Sequence, residues 1–165
     1  MREAVSEERL TEIYNRNVNT VYKLCFTYLK NKADTEDAVQ DTFIRCLERA
    51  PRFESLQHEK AWLIRVAANI CKNMLKRASR RNASIEDIPE IEAVTDFQSR
   101  ELVEEVLSLP EKYRDVIYLF YYEDYPSAEI AAMLKTTDAT VRTRLRRGRA
   151  LIKSILLKEG GYGEE

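Results

Sequence analysis

The sequence has 165 residues, enough for one ordinary domain or two small ones, which excludes large enzyme architectures. Lysine and arginine number 27 against 28 aspartates and glutamates, and the resulting net charge of −1 does not by itself indicate an anionic partner. The charges are nevertheless segregated. Residues 60–85 and 139–158 each contain seven basic residues and no acid, whereas residues 86–105 contain eight acids and one arginine. We therefore expect separate surfaces for anionic and cationic partners.

Only four glycines and four prolines occur, which predicts an all-α fold. Cys25, Cys46 and Cys71 lie far apart without a Cys/His metal pattern, so we expect buried thiols, no metal and no cofactor. The first ten residues lack the apolar core of a signal peptide, and no apolar run reaches the roughly 18 residues that span a bilayer. A soluble cytoplasmic protein is the expectation.

The first two predicted helices differ in their outer faces. Apolar residues recur at intervals of three and four from Leu10 to Leu29, which predicts a long amphipathic helix. A second helix is predicted to begin at Asp34 as its cap, with Asp37 completing a carboxylate capping box, and to end at Pro51. From the residues alone, a solvated surface is the favoured interpretation of its polar face. That face comprises Glu36, Asp37, Gln40, Asp41 and Arg45.

The third predicted helix carries a mixed aromatic and basic stripe. A loop is predicted over residues 52–60 and a helix from about Lys60 to Ala78. A helical wheel places five residues within one arc of the surface: Trp62, Arg65, Asn69, Lys72 and Lys76. Such a stripe suits nucleic acid, because cations neutralise phosphates and an aromatic ring stacks on an unpaired base. The alternative for Trp62 is a half-buried core residue beside charged neighbours.

The middle of the sequence separates two helical units. The predicted domains are residues 1–78 and 101–158, with an acidic flexible linker over 79–100 and a disordered tail over 159–165. The second unit is predicted to start with a helix over 101–109 and to continue after Pro110 with EKYRDVIYLFYYE. A core stripe is predicted for that helix, and an aromatic cofactor pocket is the alternative. The stripe comprises Tyr113, Val116, Ile117, Phe120 and Tyr121.

The end of the sequence reads as a helix-turn-helix. A short helix over Ser127–Leu134 is followed by a break at residues 135–137, and Thr137 or Asp138 caps the last helix. Two helices joined by about three residues, the second one basic, is the arrangement that enters the major groove of DNA. Lys135 stands where such turns usually carry glycine, so either the turn is looser or Lys135 is left-handed.

The polar side chains of the last helix have three predicted roles. Arg142 and Arg146 are predicted to reach guanine edges, and Thr140 and Thr143 to contact bases or methyl groups. The predicted phosphate contacts are Arg144, Arg147 and Arg149. The alternative is a solvated helix end whose cations favour the helix dipole.

Four segments resemble the bacterial alternative sigma factors of the extracytoplasmic-function class, in order and over nearly the whole chain. They are DTEDAVQDTFIRCL at 34–47, AWLIRVAANICKNMLKR at 61–77, LPEKYRDVIYLFYYEDY at 109–125 and EIAAMLKTTDATVRTRLRRGRALIK at 129–153. The departures from the usual pattern are Lys135 for glycine, residues 124–126, and Asn73 for aspartate.

The resemblance implies roles for three groups of residues. The helix at 34–47 would dock on core RNA polymerase through Asp34, Glu36, Asp37, Gln40, Asp41, Phe43 and Arg45. The minus ten element would be recognised and melted by Phe53, His58, Trp62, Arg65, Asn69, Lys72, Asn73, Lys76 and Arg77. The minus thirty-five element would be read by Ala139, Thr140, Arg142, Thr143, Arg144, Arg146, Arg147 and Arg149. The aromatic-rich helix before them would sit on the polymerase flap.

These expectations amount to a non-enzymatic transcription initiation factor that gives RNA polymerase its choice of promoter. The resemblance also implies an anti-sigma protein, often membrane-bound, as a partner, and we expect a monomer in the absence of partners. His58, the only histidine, is expected to be exposed or to touch DNA rather than to serve a catalytic site. The alternatives are a stand-alone helix-turn-helix regulator and a helical adaptor that binds only protein.

Overall fold

The computed structural model describes residues 5–81 and 105–160, and all regular secondary structure in these ranges is α-helical. The helices are α1 (Glu7–Leu29), α2 (Lys32–Arg49), α3 (Leu56–Arg81), α4 (Glu111–Tyr121), α5 (Ser127–Leu134) and α6 (Asp138–Gly160), and residues 105–108 are also helical. The chain divides into two compact units, Met1–Glu92 and Ala93–Glu165. The predicted all-α, two-domain fold is confirmed. Within the described ranges no helix is both long and apolar enough to cross a membrane.

In the first unit, α1, α2 and α3 pack pairwise around one apolar core. Leu24 and Cys25 of α1, Cys46 of α2 and Leu63 and Ala67 of α3 are all fully buried. The predicted burial of the three thiols is confirmed, and none of them forms a disulfide. Since each helix contributes one apolar stripe, the opposite stripes of α2 and α3 remain for other contacts.

The start of α2 differs from the prediction. The helix begins at Lys32, and its cap is Asn31, whose side-chain oxygen accepts a hydrogen bond from the Asp34 N–H at 2.9 Å. Asp34 therefore lies inside the first turn and is not the cap. The reason is the tight connection to α1, since the left-handed Lys30 brings Asn31 into the extended conformation that a cap requires. The end of α2 at Arg49, just before Pro51, agrees with the prediction.

The start of α3 also lies earlier than predicted, at Leu56. The Ser55 hydroxyl accepts a hydrogen bond from the His58 N–H at 3.0 Å, and the His58 ring accepts one from the Glu54 N–H at 3.0 Å. This reciprocal pair resembles a capping box with histidine in the glutamate position. His58 consequently belongs to the first turn of α3 rather than to a loop.

The far end of α3 at Arg81 lies three residues inside the predicted linker. The rest of that linker, residues 82–100, lies outside the described residues, as do residues 101–104 of the helix predicted next. The predicted tail is shortened in the same way, because α6 extends to Gly160. Residues 161–165 are not described.

In the second unit, α4 is buried on more than the predicted stripe. Tyr113, Val116 and Ile117 are buried as expected, but so are Tyr118 and Leu119. Tyr121, by contrast, is 45% exposed, so the prediction that it belongs to the core is wrong. The three helices of this unit pack pairwise, and α6 contacts both α4 and α5 more extensively than these two contact each other.

Gly148 allows the close approach of α4 and α6. A Cβ atom at this position would lie 3.1 Å from the side chain of Ile117 and 3.4 Å from Cβ of Tyr113. Val141 and Leu145, four residues apart, are buried on the same side of α6. The opposite side of α6 therefore carries the basic residues away from the core.

The turn between α5 and α6 settles two alternatives. Lys135 is left-handed, with φ 57° and ψ 49°, at a cost of roughly 1–2 kcal/mol for a residue with a Cβ atom. The Thr136 N–H donates to the carbonyl oxygen of Ala131 at 2.9 Å and so closes α5. The cap of α6 is Thr137, whose hydroxyl accepts from the Thr140 N–H at 3.1 Å.

Candidate functional site

An aromatic cluster lies at the start of α3. The ring of Phe53 meets His58 and Trp62 edge to face, with centroid distances of 5.3 Å and 5.7 Å. The guanidinium of Arg9 lies over the Phe53 ring at 5.9 Å. All three aromatic side chains are partly exposed. Trp62 is thus anchored by one ring contact while part of its indole remains accessible to a ligand.

The polar residues of the predicted α3 stripe continue from this cluster along the surface. Arg65, Asn69 and Lys76 are exposed, and Lys72 is partly exposed. Asn73 and Arg77, which the family resemblance adds to this stripe, are exposed as well. Because a helix rises 1.5 Å per residue, the stripe from Trp62 to Lys76 is about 21 Å long. The residues of the predicted stripe are therefore all exposed or partly exposed along one side of α3.

A half-buried ion pair holds the first turn of α3 against α1. Arg16 donates from Nε and Nη2 to the two carboxylate oxygens of Glu59 at 3.0 Å and 2.9 Å. The Asn17 amide donates to Glu59 at 2.9 Å and to the Ile13 carbonyl oxygen at 2.8 Å. Burial acts to raise the pKa of Glu59, but these hydrogen bonds and the charge of Arg16 outweigh it, so the pKa is lowered. Glu59 is one residue away from His58, so this pair helps to hold the aromatic cluster in place.

The predicted polymerase-binding residues on α2 lie on one face, with one exception. Asp34, Glu36, Asp37, Gln40 and Asp41 are exposed, and Arg45 is partly exposed. Phe43 is only 6% exposed and packs against Tyr14 of α1 at a centroid distance of 4.9 Å. The Phe43 ring therefore packs beneath the exposed polar residues and adds little accessible surface to this face.

An apolar groove of about 630 Å³ between α1 and α2 lies beside these acids. This groove was not predicted from the sequence. Its exposed apolar members are Tyr14, Ile44 and Leu47, at 43%, 46% and 42%. Tyr14 and Leu47 follow the apolar spacing of their helices, which by itself would predict burial. They are exposed because the third helix covers only part of the joint surface of α1 and α2.

The predicted base-reading and phosphate-binding residues of α6 lie on the surface of the helix, outside the side that is buried with Val141 and Leu145. Ala139, Arg142, Arg146, Arg147 and Arg149 are exposed, and Thr140, Thr143 and Arg144 are partly exposed. Asp138 pairs with Arg142 at 3.2 Å and accepts a hydrogen bond from the Ser127 hydroxyl, which ties α5 to α6. Arg149 donates to the Tyr121 hydroxyl at 3.0 Å. Among the α6 arginines predicted to contact DNA, Arg144, Arg146 and Arg147 form no ion pair with a described residue.

Comparison with known families decides what these surfaces belong to. Sigma-70 region 2 matches residues 13–81, and Sigma-70 region 4 matches residues 99–152. The chain belongs to the sigma-70 family. Region 2 thus covers the α2 face and the α3 stripe of this sigma factor, and region 4 covers α4, α5 and most of α6.

Curated relatives place this sigma factor in the extracytoplasmic-function class. It is 26% identical to the ECF RNA polymerase sigma factor SigW of Bacillus subtilis, over 91% of this chain and 90% of the relative. It is 30% identical to the ECF sigma factor SigE of Mycolicibacterium smegmatis, over 89% of this chain and 61% of the relative. The protein is an alternative sigma factor that directs transcription initiation, so its partners include RNA polymerase and promoter DNA.

Solved structures share the fold. The sigma factor RpoE from Bartonella quintana, in complex with the anti-sigma factor NepR, has a TM-score of 0.72 at 20% identity. That match covers 91% of this chain and 97% of RpoE. CnrH, in complex with the cytosolic domain of CnrY, has a TM-score of 0.67 at 20% identity and covers 94% of this chain.

Proposed function

We propose that the first unit of this sigma factor melts the minus ten element, captures a non-template base and docks on polymerase, while α6 reads the minus thirty-five element. The observation that carries the proposal is Trp62, partly exposed and braced by Phe53, at the head of the basic α3 stripe. A ring held in this way is ready to stack on a base, so little ordering cost remains when the base arrives.

Strand opening would follow from differential binding. Flipping a base out of the duplex costs a few kcal/mol, and stacking on an aromatic side chain returns about 1–3 kcal/mol. The exposed cations at 65, 76 and 77 lie farther along α3 and would hold the phosphates of the separated strand. Opened DNA is thereby favoured over the paired duplex on this surface.

The groove between α1 and α2 is the proposed polymerase contact. It combines exposed apolar side chains with the acids Glu36 and Asp37 on its rim. An amphipathic helix with basic flanks fits such a groove, because its apolar face fills the groove and its cations meet the rim. The acidic face of α2 would then be a protein interface instead of a solvated surface.

On α6 we propose a division between base and phosphate contacts. The outward side of the helix presents Ala139, Thr143 and Arg146 in succession, opposite the buried Val141 and Leu145. Small residues at the start of the helix permit close approach to the groove floor, and Arg146 has the reach and donor pattern to read guanine.

We further infer that the protein acts in the cytoplasm without a catalytic site and is monomeric when unbound. An anti-sigma protein is inferred as its regulator because two structural relatives are complexes with such partners or with a cytosolic partner domain. A membrane anchor on that regulator remains a prediction from the family resemblance.

Run-off transcription with core polymerase and a library of candidate promoters tests the proposal. When this chain is added, transcription is expected from new start sites that share a minus thirty-five and a minus ten sequence. The absence of such start sites would contradict the proposal. Tight binding to one duplex operator without polymerase would instead favour a stand-alone regulator. If the chain neither binds DNA by itself nor directs transcription with polymerase, a protein-binding adaptor is favoured.

A matched pair of variants tests the groove. Ile44→Gln and Leu56→Gln each remove one exposed apolar side chain from the first unit, but only Ile44 lines the groove. Ile44→Gln is expected to weaken binding to core polymerase at least tenfold, whereas Leu56→Gln leaves it unchanged. Equal affinities for the two variants would rule out the groove as the polymerase contact.

A further inference from the structure

A cleft of about 370 Å³ lies on one flank of α6, where the helix meets the first turn of α4. Its lining includes three cations, Lys112, Arg144 and Arg147, and the hydroxyl-bearing Thr140 and Thr143. Among the residues that the structure describes, no acid lines it. Lys112 was not among the predicted DNA contacts, because it precedes the helix-turn-helix by fifteen residues.

The described part of the chain supplies no ion-pair partner for the cations of the cleft. Within the described residues, Lys112, Arg144 and Arg147 form no ion pair, and the one ring contact of Lys112 is with Tyr113 at 5.2 Å. Asp138, the acid in the first turn of α6, is engaged by Arg142 and Ser127. Glu111 neighbours Lys112 but does not line the cleft.

Backbone dipoles add to this positive potential. Lys112 and Tyr113 lie in the first turn of α4, and Ala139 and Thr140 lie in the first turn of α6. Two helix amino-terminal ends therefore border the cleft together with the three side-chain charges. Each such end favours an anion, and threonine hydroxyls supply further donors.

The position of the cleft matches a DNA backbone. A helix about 10–12 Å across nearly fills the major groove, so the phosphates of each groove wall pass along its flanks. The cleft occupies the flank formed by Thr140, Arg144 and Arg147. Helical periodicity places Arg142 and Arg149 on the other flank. Close packing of α4 on α6, which Gly148 permits, is what brings Lys112 to this flank.

We propose that this cleft binds a phosphate group of the promoter backbone and that Lys112 is a DNA contact outside the helix-turn-helix. The proposal rests on the proposed reading of the minus thirty-five element by α6. Lys112, Arg144 and Arg147 together would then fix the position of α6 in the major groove. Such phosphate contacts do not distinguish one base sequence from another.

The test uses holoenzyme reconstituted from core polymerase and the full chain, on a promoter that the wild type has selected from a library. Binding to an upstream duplex fragment is measured at several salt concentrations. Lys112→Gln is expected to weaken binding about 3- to 10-fold near 0.1 M salt and to lower the log–log salt slope by about 1. The loss should be equal on the selected and on a scrambled sequence, and Lys112→Arg should restore it.

Glu111→Gln is the matched control, since it changes charge in the same turn but lies outside the cleft lining, and it should not weaken binding. An unchanged salt slope for Lys112→Gln would overturn the proposal. If inorganic phosphate binds the free full chain through Lys112 while that slope stays unchanged, the cleft takes a free anion and the DNA assignment is wrong. Failure of the wild-type holoenzyme to select any promoter would instead refute the proposed function itself.

Discussion

Arg16 and Glu59, 43 residues apart, form a two-pronged ion pair that joins α1 to the first turn of α3. The Glu59 side chain is 6% exposed, whereas that of Arg16 is 41% exposed. Burying a carboxylate is costly unless its oxygens accept hydrogen bonds. Here the Arg16 guanidinium and the Asn17 amide donate those hydrogen bonds. Since the aromatic cluster starts from the same turn, this pair links the stability of the first unit to the shape of its DNA surface.

Arg16→Ala should destabilise the first unit by about 1–3 kcal/mol, because it leaves a buried carboxylate with incomplete hydrogen bonding. Urea unfolding followed by circular dichroism measures the effect. Arg65→Ala removes an exposed arginine of the same unit and should change the free energy of unfolding by less than about 0.5 kcal/mol. Similar losses for both variants would contradict a special role for the pair.

Stability should fall in acid through Glu59. Burial alone would raise its pKa, but the contacts with Arg16 and Asn17 hold the folded-state pKa below its usual value. A lowered folded-state pKa contributes stability at neutral pH, and that stability is lost as pH falls from the unfolded-state pKa through the folded-state one. Glu59→Gln should therefore be less stable than wild type at pH 7 and show a flatter profile below about pH 5. Parallel pH profiles for the two proteins would count against this assignment.

Trp62→Ala should impair promoter opening more than initial recognition. Loss of one base–aromatic stacking contact is worth about 1–3 kcal/mol, which corresponds to roughly 5- to 150-fold in the opening equilibrium. Opening is measured by the fluorescence of a base analogue in the minus ten element, and recognition by binding to the closed duplex at low temperature. Trp62→Phe should retain part of the activity. Equal losses in opening and recognition would show that Trp62 is structural only.

Arg146→Ala and Arg147→Ala should separate base reading from phosphate binding. Arg146 lies on the outward side of α6, so its loss should cost about 1–3 kcal/mol and relax selectivity at one upstream base. Arg147 lines the cleft beside α4, so its loss should weaken all promoters to a similar degree. Competition between promoter libraries with each position randomised distinguishes the two. A base-specific loss for Arg147→Ala would reverse the assignment.

Local sequence determined most of the helical framework. The four-residue spacing of Val141 and Leu145 is that of one helical face, and both are buried on α6. The helix Ser127–Leu134 was found with the predicted bounds. These features depend on helical periodicity and on neighbours within a few residues, and both can be read from the chain itself. The α3 stripe was predictable for the same reason, since residues three and four apart share a face whatever packs on the other side.

Long-range packing decided the rest. The pairing of Arg16 with Glu59, the exposure of Ile44 and Leu47 beside Tyr14, and the cleft that joins Lys112 to Arg147 all unite residues distant in sequence. Helical periodicity shows which residues share a face but not which faces meet or how far a neighbouring helix covers them. The caps at Asn31 and Ser55 were missed because connection geometry selects among several polar residues that could each cap a helix. Sequence therefore determined the helices and the charged stripes of this sigma factor, and tertiary structure decided which side chains share a site, because helix packing alone sets their distances and exposure.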